Sequence, residues 1–342
     1  MRICSRCILP DSVPNISFNK EGICNFCQIF DKAKKKNKEF GPSVLEQRML
    51  NILKIKSKEY SYDCLCLYSG GKDSTFMLYQ LVKIYKLRVL AFTLDNSFLA
   101  PEAHENIKKS VNALNVDHVF CRPDFELVKE LVEASVNESH RLKTTKELSF
   151  MIGFVCWPCF TMISQYAIKT AIEKNIPNIV IGTTPGQLRQ KRYNLISKYE
   201  GTFDSYYSMN LPMLKLLKLA GYEKSQGIFK LTFKEKLKAL KVKLVPFYEY
   251  IPYQEERAVK LIEDELGWQR PKNTDSCSTN CELNTLGIAL HLQRYGIHPY
   301  IIPLAYDIRE GILKREDALR AVNELPKYNI AENIAAKLRI EL

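Results

Sequence analysis

Apolar and polar positions along the chain fall into two regimes. From Tyr62 to Gly182, short apolar runs alternate with stretches of helical spacing. DCLCLY (63–68), RVLAFTLD (88–95), DHVFC (117–121) and NIVIG (178–182) are buried-strand candidates. Helical patterns run from Ser74 to Tyr85, Pro101 to Leu114, Asp124 to Ser139 and Phe160 to Lys174, with Pro101 at a favourable helix start. Strands alternating with helices predict βαβ units, hence a parallel sheet with helices on both faces and right-handed crossovers. Beyond Gly186 the pattern becomes mostly helical and less regular. Ahead of this block, Val44, Leu45, Met49, Ile52 and Leu53 predict a helix after the lysine-rich segment Asp31–Lys38, itself read as a solvated linker or helix face. Apart from two paired knuckles in residues 1–30, CSRC and CNFC, no internal repeat appears.

A length of 342 residues implies two domains or one domain with additions. The texture divides it into 1–45 (knuckles and linker), 46–186 (α/β, nucleotide-binding) and 187–342 (mostly helical, for substrate or partner). With 46% hydrophobic and 26% charged residues, disordered, collagen-like and fibrous chains are excluded. No stretch approaches the ~18 apolar residues of a membrane span. The start, MRICSRCILPDSVPN, lacks the apolar core of a secretory signal, so the expected location is cytoplasmic. A formal charge of +12 favours polyanionic ligands without choosing among nucleotides, sugar nucleotides and RNA. Eleven cysteines in a reducing compartment read first as metal ligands.

The most informative stretch is Ser69-Gly70-Gly71-Lys72-Asp73-Ser74-Thr75, where a strand ends and a helix begins. Adjacent glycines let the backbone approach an anion, the helix N-terminus offers free N–H groups, and Lys72 adds a charge. The hydroxyls of Ser69, Ser74 and Thr75 can donate to phosphate oxygens. A Gly-Gly turn capped by Asp73 or Ser74 explains part of the pattern, but not the coincidence of strand, cation, hydroxyls and helix. It is not a Walker A loop: Cys66 stands where that motif needs its first glycine, and Asp73 where it needs Ser or Thr.

Cys4-x2-Cys7 and Cys24-x2-Cys27 present four thiolates in the pattern of a structural zinc site. Cys156-x2-Cys159 and Cys277-x3-Cys281 form a second candidate set, for a second zinc ion or an iron–sulfur cluster, with unpaired thiols as the alternative. Cys64, Cys66 and Cys121 read as small packed residues.

SGGKDST resembles the pyrophosphate loop of the ATP pyrophosphatase (PP-loop) superfamily, which includes NAD, GMP and asparagine synthetases and the tRNA thiolation enzymes. The resemblance implies a HUP-like α/β sandwich, cleavage of ATP between its α and β phosphates, and transfer of AMP to a substrate oxygen. Ser69 to Thr75 would hold the departing pyrophosphate, with Lys72 and Ser69 catalytic. Asp95 would lie near the adenosine, or serve as a strand-end turn residue, and Gly182, Thr183 and Thr184 would close the pocket. Mg²⁺ would bridge phosphate oxygens.

The whole chain is similar to the N-acetyl sugar amidotransferases encoded with bacterial surface-polysaccharide genes. The likeness runs from Cys4, Cys7 and Pro10 through SGGKDST, CWPCF (156–160) and IGTTPGQ (181–187) to ELGWQRP (265–271). It implies conversion of an acetamido group on an activated sugar, nonulosonic acids included, into an acetamidino group. No glutaminase nucleophile is visible: Arg2 follows the initiator, and no cysteine has a Gly-x-Cys-x-Gly context. Ammonia should therefore come from a partner, and family resemblance points to a glutaminase with a cyclase-like barrel subunit. The main rival is a tRNA thiolation enzyme, which would bind tRNA through the same basic charge; Cys281, a fourth cysteine, weakens the match to a three-cysteine cluster. A non-catalytic zinc-ribbon scaffold is the third reading, and the intact loop argues against it.

Overall fold

The computed structural model describes residues 2–36, 41–54, 59–188 and 204–342. Lys38, at the end of the lysine run, lies outside the described residues. Among them, β1 (Cys64–Leu67), β2 (Val89–Leu94), β3 (Asp117–Cys121), β4 (Asn178–Ile181) and β5 (Lys243–Pro246) form one parallel sheet in the order β3-β2-β1-β4-β5. Helices α1 (Asn25–Lys36) and α2 (Pro42–Leu53) precede it. Between β1 and β4 run α3 (Lys72–Tyr79), α4 (Pro101–Leu114), α5 (Phe125–Glu138), α6 (Lys143–Ile152) and α7 (Cys156–Glu173). Then come α8 (Pro185–Leu188), α9 (Asp204–Leu219) and α10 (Phe233–Ala239) before β5. The chain ends in α11 (Glu255–Leu266), α12 (Leu283–Tyr295), α13 (Ile301–Glu310), α14 (Arg315–Asn323) and α15 (Tyr328–Leu338). The expected HUP-like parallel sandwich with a mostly helical C-terminal region is present.

Strand alternation builds two cores. Leu65, Leu90, Phe92, Leu94, Ile179 and Ile181 face the layer of α5, α7 and α9. Cys64, Cys66, Val89, Ala91, Val180 and Val245 face the opposite layer of α2, α3, α4 and α11. Because β1, β2 and β4 are covered on both faces, they read as continuous apolar runs, whereas the edge strand β3 leaves Phe120 43% exposed. The small residues Cys64, Cys66 and Ala91 all fall on the second face.

Three differences from the sequence reading have physical causes. β5 was not expected: it is a four-residue edge strand that opens on the exposed Lys243, too short and too polar to stand out. It also carries the sheet into the C-terminal region. α7 begins at Cys156 rather than Phe160, because Pro158 sits in the first turn, where its missing N–H leaves no intrahelical bond unmade. The Cys-x2-Cys pair therefore lies on the helix, not in a turn before it. α3 starts at Lys72 and closes in a π-turn over Gln80–Ile84.

A third core unites the chain ends: Cys4, Cys7, Ile8, Leu9, Val13, Cys24 and Cys27 pack with Ile297, Ile301, Ala305 and Ala318. No single helix among the described residues is long and apolar enough to cross a membrane. Phe92 stands at the centre of the sheet, 2% exposed. Phe92→Ala should lower unfolding free energy by ~3–5 kcal/mol, read from urea titration; a loss below ~1 kcal/mol would mean that this face is not the packed core described.

Candidate active site and cysteine centres

The strand order reverses between β1 and β4, so the loops leaving their carboxyl ends diverge and open a crevice. Residues 69–71 leave β1 there, and 182–184 leave β4. Gly70 adopts φ +75°, and a Cβ on it would stand 2.5 Å from the Ala103 carbonyl oxygen, so only glycine fits. The Gly70 carbonyl accepts hydrogen bonds from the Trp268 indole at 2.9 Å and the Asn106 amide at 3.4 Å.

Behind the glycines, α3 aims its N-terminus at the crevice. Lys72 is 5% exposed; its ammonium meets Asp73 at 2.9 Å and Glu255 at 3.1 Å. Burial opposes the charge, but the two carboxylates outweigh it and raise the lysine's pKa. Tyr248 donates to the Asp73 carbonyl at 2.6 Å, and Tyr253 to the Asp73 carboxylate. Ser74 and Thr75 both donate to the Gly71 carbonyl, at 3.2 and 2.8 Å, and so brace the turn; the Ser69 hydroxyl is half-buried against Ser74 Oγ at 3.1 Å.

Asp95 ends β2, 1% exposed, and holds Arg122 at 2.5 Å, His104 at 3.7 Å and the Ser97 amide at 2.8 Å. Gly182 packs on Met77 and Tyr248, and Thr183 Oγ1 is buried with no hydrogen-bond partner in the protein. Asp307 of α13 accepts from the Gly186 amide at 3.2 Å. Burial raises its carboxyl to about 7, with Glu310 and Asp73 adding to the rise and the Gly186 amide and Lys72 opposing it.

A segment remote in sequence covers the loop. The Lys72 amide donates to Thr279 Oγ1 at 3.0 Å, the Ala100 amide to the Asn280 carbonyl at 2.9 Å, and Leu99 forms a β-bridge with Cys281. This brings the second cysteine set to the crevice. The Asn96 amide lies 3.5 Å from both Cys159 Sγ and Cys281 Sγ. Cys156 lies beside them and donates to Asn284 Oδ1 at 3.4 Å. The Cys277 amide donates to Asp275 at 2.7 Å, and the charges around its thiol are Asp275, Lys72 and Glu255. Burial pushes the Cys159 thiol up to about 12, with Cys281 adding to the rise. The closed four-sulfur tetrahedron expected of Cys156, Cys159, Cys277 and Cys281 is thus not what the structure shows: among the described residues their sulfurs do not come within the spread of one ion, although Cys159 and Cys281 meet at the Asn96 amide and both Cys156 and Cys277 neighbour Asp275.

The first set does close. Cys4 and Cys27 sulfurs are 3.9 Å apart and those of Cys7 and Cys24 3.8 Å, with all four sulfurs within 4.8 Å of one another. A tetrahedral ion with bonds of ~2.3 Å places sulfurs ~3.8 Å apart. Amides of Cys7, Cys24 and Cys27 donate to sulfurs at 3.2–3.5 Å, as thiolates require. Arg315 clamps the outer backbone, donating to the Cys7 and Cys4 carbonyls at 3.0 and 3.3 Å. This cluster can hold a metal ion.

Sequence reasoning missed Asn96, Asn106, Tyr248, Tyr253, Glu255, Thr279 and Asp307. Each reaches the site only through the fold, and none has a local motif.

No family model matches the chain. An uncharacterized protein of Methanocaldococcus jannaschii is 25% identical over 347 residues, covering 98% of this chain and 97% of the relative. Among solved structures, a U34-tRNA thiolase of Methanococcus maripaludis, with its four-iron–four-sulfur cluster, covers 100% of this chain and 90% of that one at 17% identity and TM-score 0.37. An NH3-dependent NAD synthetase of Campylobacter jejuni covers 59% and 84% at 16% identity and TM-score 0.31. An NMN synthetase of Francisella tularensis covers 89% and 98% at 14% identity and TM-score 0.32. None of these three TM-scores reaches 0.5, so function has to be read from this chain's own residues.

Cys4→Ser should release a bound metal ion and destabilise the N-terminal segment; full metal content in the purified variant, measured by elemental analysis, would refute the four-sulfur site. Asp307 gives a pH signature. An unfolded aspartate has lost its proton above ~4, whereas buried Asp307 keeps its own to about 7. Its contribution is therefore fully present below ~4, falls as pH rises towards 7, and is flat above. Asp307→Asn keeps an acceptor for the Gly186 amide and removes that slope. Urea titrations should show wild type losing stability relative to the variant between pH 4.5 and 7.5 as order-of-magnitude limits; a constant difference would count against a buried neutral acid.

Proposed function

We propose that the chain is an ATP-dependent amidotransferase that adenylates the acetamido oxygen of an activated sugar and adds ammonia to give an amidine. The observation that carries the ATP half is the Ser69–Thr75 loop at the strand-order reversal, where the α3 N-terminus and Lys72 stand at the carboxyl end of β1 and Thr183, its hydroxyl without a protein partner, follows β4. The sugar half is supported by the segments that resemble the amidotransferases. Trp268 of ELGWQRP bonds Gly70, IGTTPGQ follows β4, and CWPCF opens α7, so segments far apart in sequence meet at one end of the sheet.

An amide carbon is a poor electrophile, and its oxygen a poor leaving group. Attack of that oxygen on the α-phosphorus of ATP makes an O–P bond and breaks the bond to the bridging oxygen, releasing pyrophosphate. Ammonia then adds at the activated carbon, loses a proton, and AMP departs with the former amide oxygen. Lys72 and the α3 amides stabilise charge on the leaving pyrophosphate. Asp73 and Glu255 are oxygen donors for Mg²⁺, which when bound would neutralise phosphate charge. A zinc ion at Cys4, Cys7, Cys24 and Cys27 has a structural role, since all four positions are protein-filled. Ammonia is supplied by a glutaminase partner with a barrel subunit.

A tRNA thiolation reading draws on one observation: Cys159 and Cys281, far apart in sequence, meet at the Asn96 amide with Cys156 nearby, close to the Lys72 loop. Anaerobic purification separates the two. A brown protein with stoichiometric iron and sulfide favours thiolation; a colourless one favours amidation.

Incubation with ATP, ammonium and acetamido sugar nucleotides should yield AMP, pyrophosphate and a product carrying NH in place of O, identified by mass spectrometry. Lys72→Ala should cut AMP formation ~10²–10³-fold with the fold retained. Release of ADP and phosphate by the wild type would overturn the assignment.

A further inference from the structure

The short helix α10 carries its apolar stripe on the wrong side for a packed helix. Ala239 at 2%, with Val242 just beyond at 6%, faces the protein and fixes its orientation. Phe233, Leu237 and Leu240, spaced i, i+4, i+7, face outward at 75%, 49% and 49% exposure. At 3.6 residues per turn the three fall within an arc of roughly 60°. Leu240 keeps helical backbone at the C-cap, so the stripe is continuous.

The surrounding charge has one sign. Residues 223–243 hold seven lysines (224, 230, 234, 236, 238, 241 and 243), all exposed, against Glu223 and Glu235. Glu235 is turned into the helix cap, accepting from the Thr232 amide at 2.6 Å and its hydroxyl at 2.8 Å. On the helix, Lys236 flanks the stripe on one side, and Lys234 and Lys241 on the other.

We propose that α10 and its flanks dock the protein on an anionic lipid bilayer, with Phe233, Leu237 and Leu240 in the headgroup–acyl boundary and the lysines on lipid phosphates. The stripe is convex and stands on one helix, so it has the shape of an insert rather than of a groove for a partner segment. Long lysine stems lie along apolar surface while their ammonium groups reach outward, which suits a phosphate plane beside hydrocarbon. A second copy fits poorly, because a two-fold contact would bring seven lysines against seven. The helix lies on the membrane and does not cross it. The inference does not rest on the reaction proposed above.

Full-length protein should co-sediment with vesicles of phosphatidylcholine plus phosphatidylglycerol, at least ~10-fold more than with phosphatidylcholine alone, and be released as salt rises. Phe233→Ser with Leu237→Ser should abolish recovery while the melting temperature stays unchanged, as expected of exposed positions. Lys234→Gln, Lys236→Gln and Lys241→Gln together should weaken binding on the order of fivefold per lysine. Four results would each overturn the proposal: no binding to anionic vesicles, equal binding to neutral ones, recovery unaffected by the double serine variant, or a doubled mass in light scattering that this variant returns to monomer. Saturable binding of the stripe to an acidic protein, without lipid, would also assign it elsewhere.

Discussion

The carbonyl of Gly70 is the point on which the site depends. It takes the Trp268 indole and the Asn106 amide, while its Cα lies so close to α4 that no side chain fits. This contact joins the end of β1, the second helical turn of α4 and the segment after α11. With it fixed, α3 must begin two residues later and point its free amides into the crevice. A loop of this composition without the indole would be a flexible turn; with it, the loop is a rigid seat.

The parallel sheet was legible because its inner strands β1, β2 and β4 are buried on both faces and leave unbroken apolar runs. The loop was legible because glycines, lysine and hydroxyls stand in one local motif. What escaped did so for physical reasons. β5 pairs along only one edge, so four residues with one exposed lysine suffice. Glu255, Tyr253 and Thr279 act on Lys72 and Asp73 from nearly two hundred residues away, and no spacing rule reaches that far. The Ser74 and Thr75 hydroxyls also brace their own turn through the Gly71 carbonyl, which no local motif announces. The second cysteine set shows in the spacing of its two pairs, but whether four sulfurs converge depends on side-chain placement that spacing does not carry, and here they do not come within the reach of one ion.

The N-terminal cysteine module is less separate than its composition implies. Its four sulfurs share a core with Ile297, Ile301 and Ala305, and Arg315 grips its backbone. Ile301 and Ala305 lie on α13, which also carries Asp307 beneath the loop after β4. The module is thus a wedge under one wall of the crevice, and a metal held there stiffens that wall rather than the chemistry.

The hydrogen bond from the Lys72 amide to Thr279 has a thermodynamic consequence. A phosphate seated on that amide must displace the hydroxyl, and Thr279 lies two residues from Cys281, which is bridged to Leu99 and faces Asn96. An anion arriving at that amide would therefore work against the 277–281 segment, and its net gain there would be lessened by the free energy of the bond it breaks.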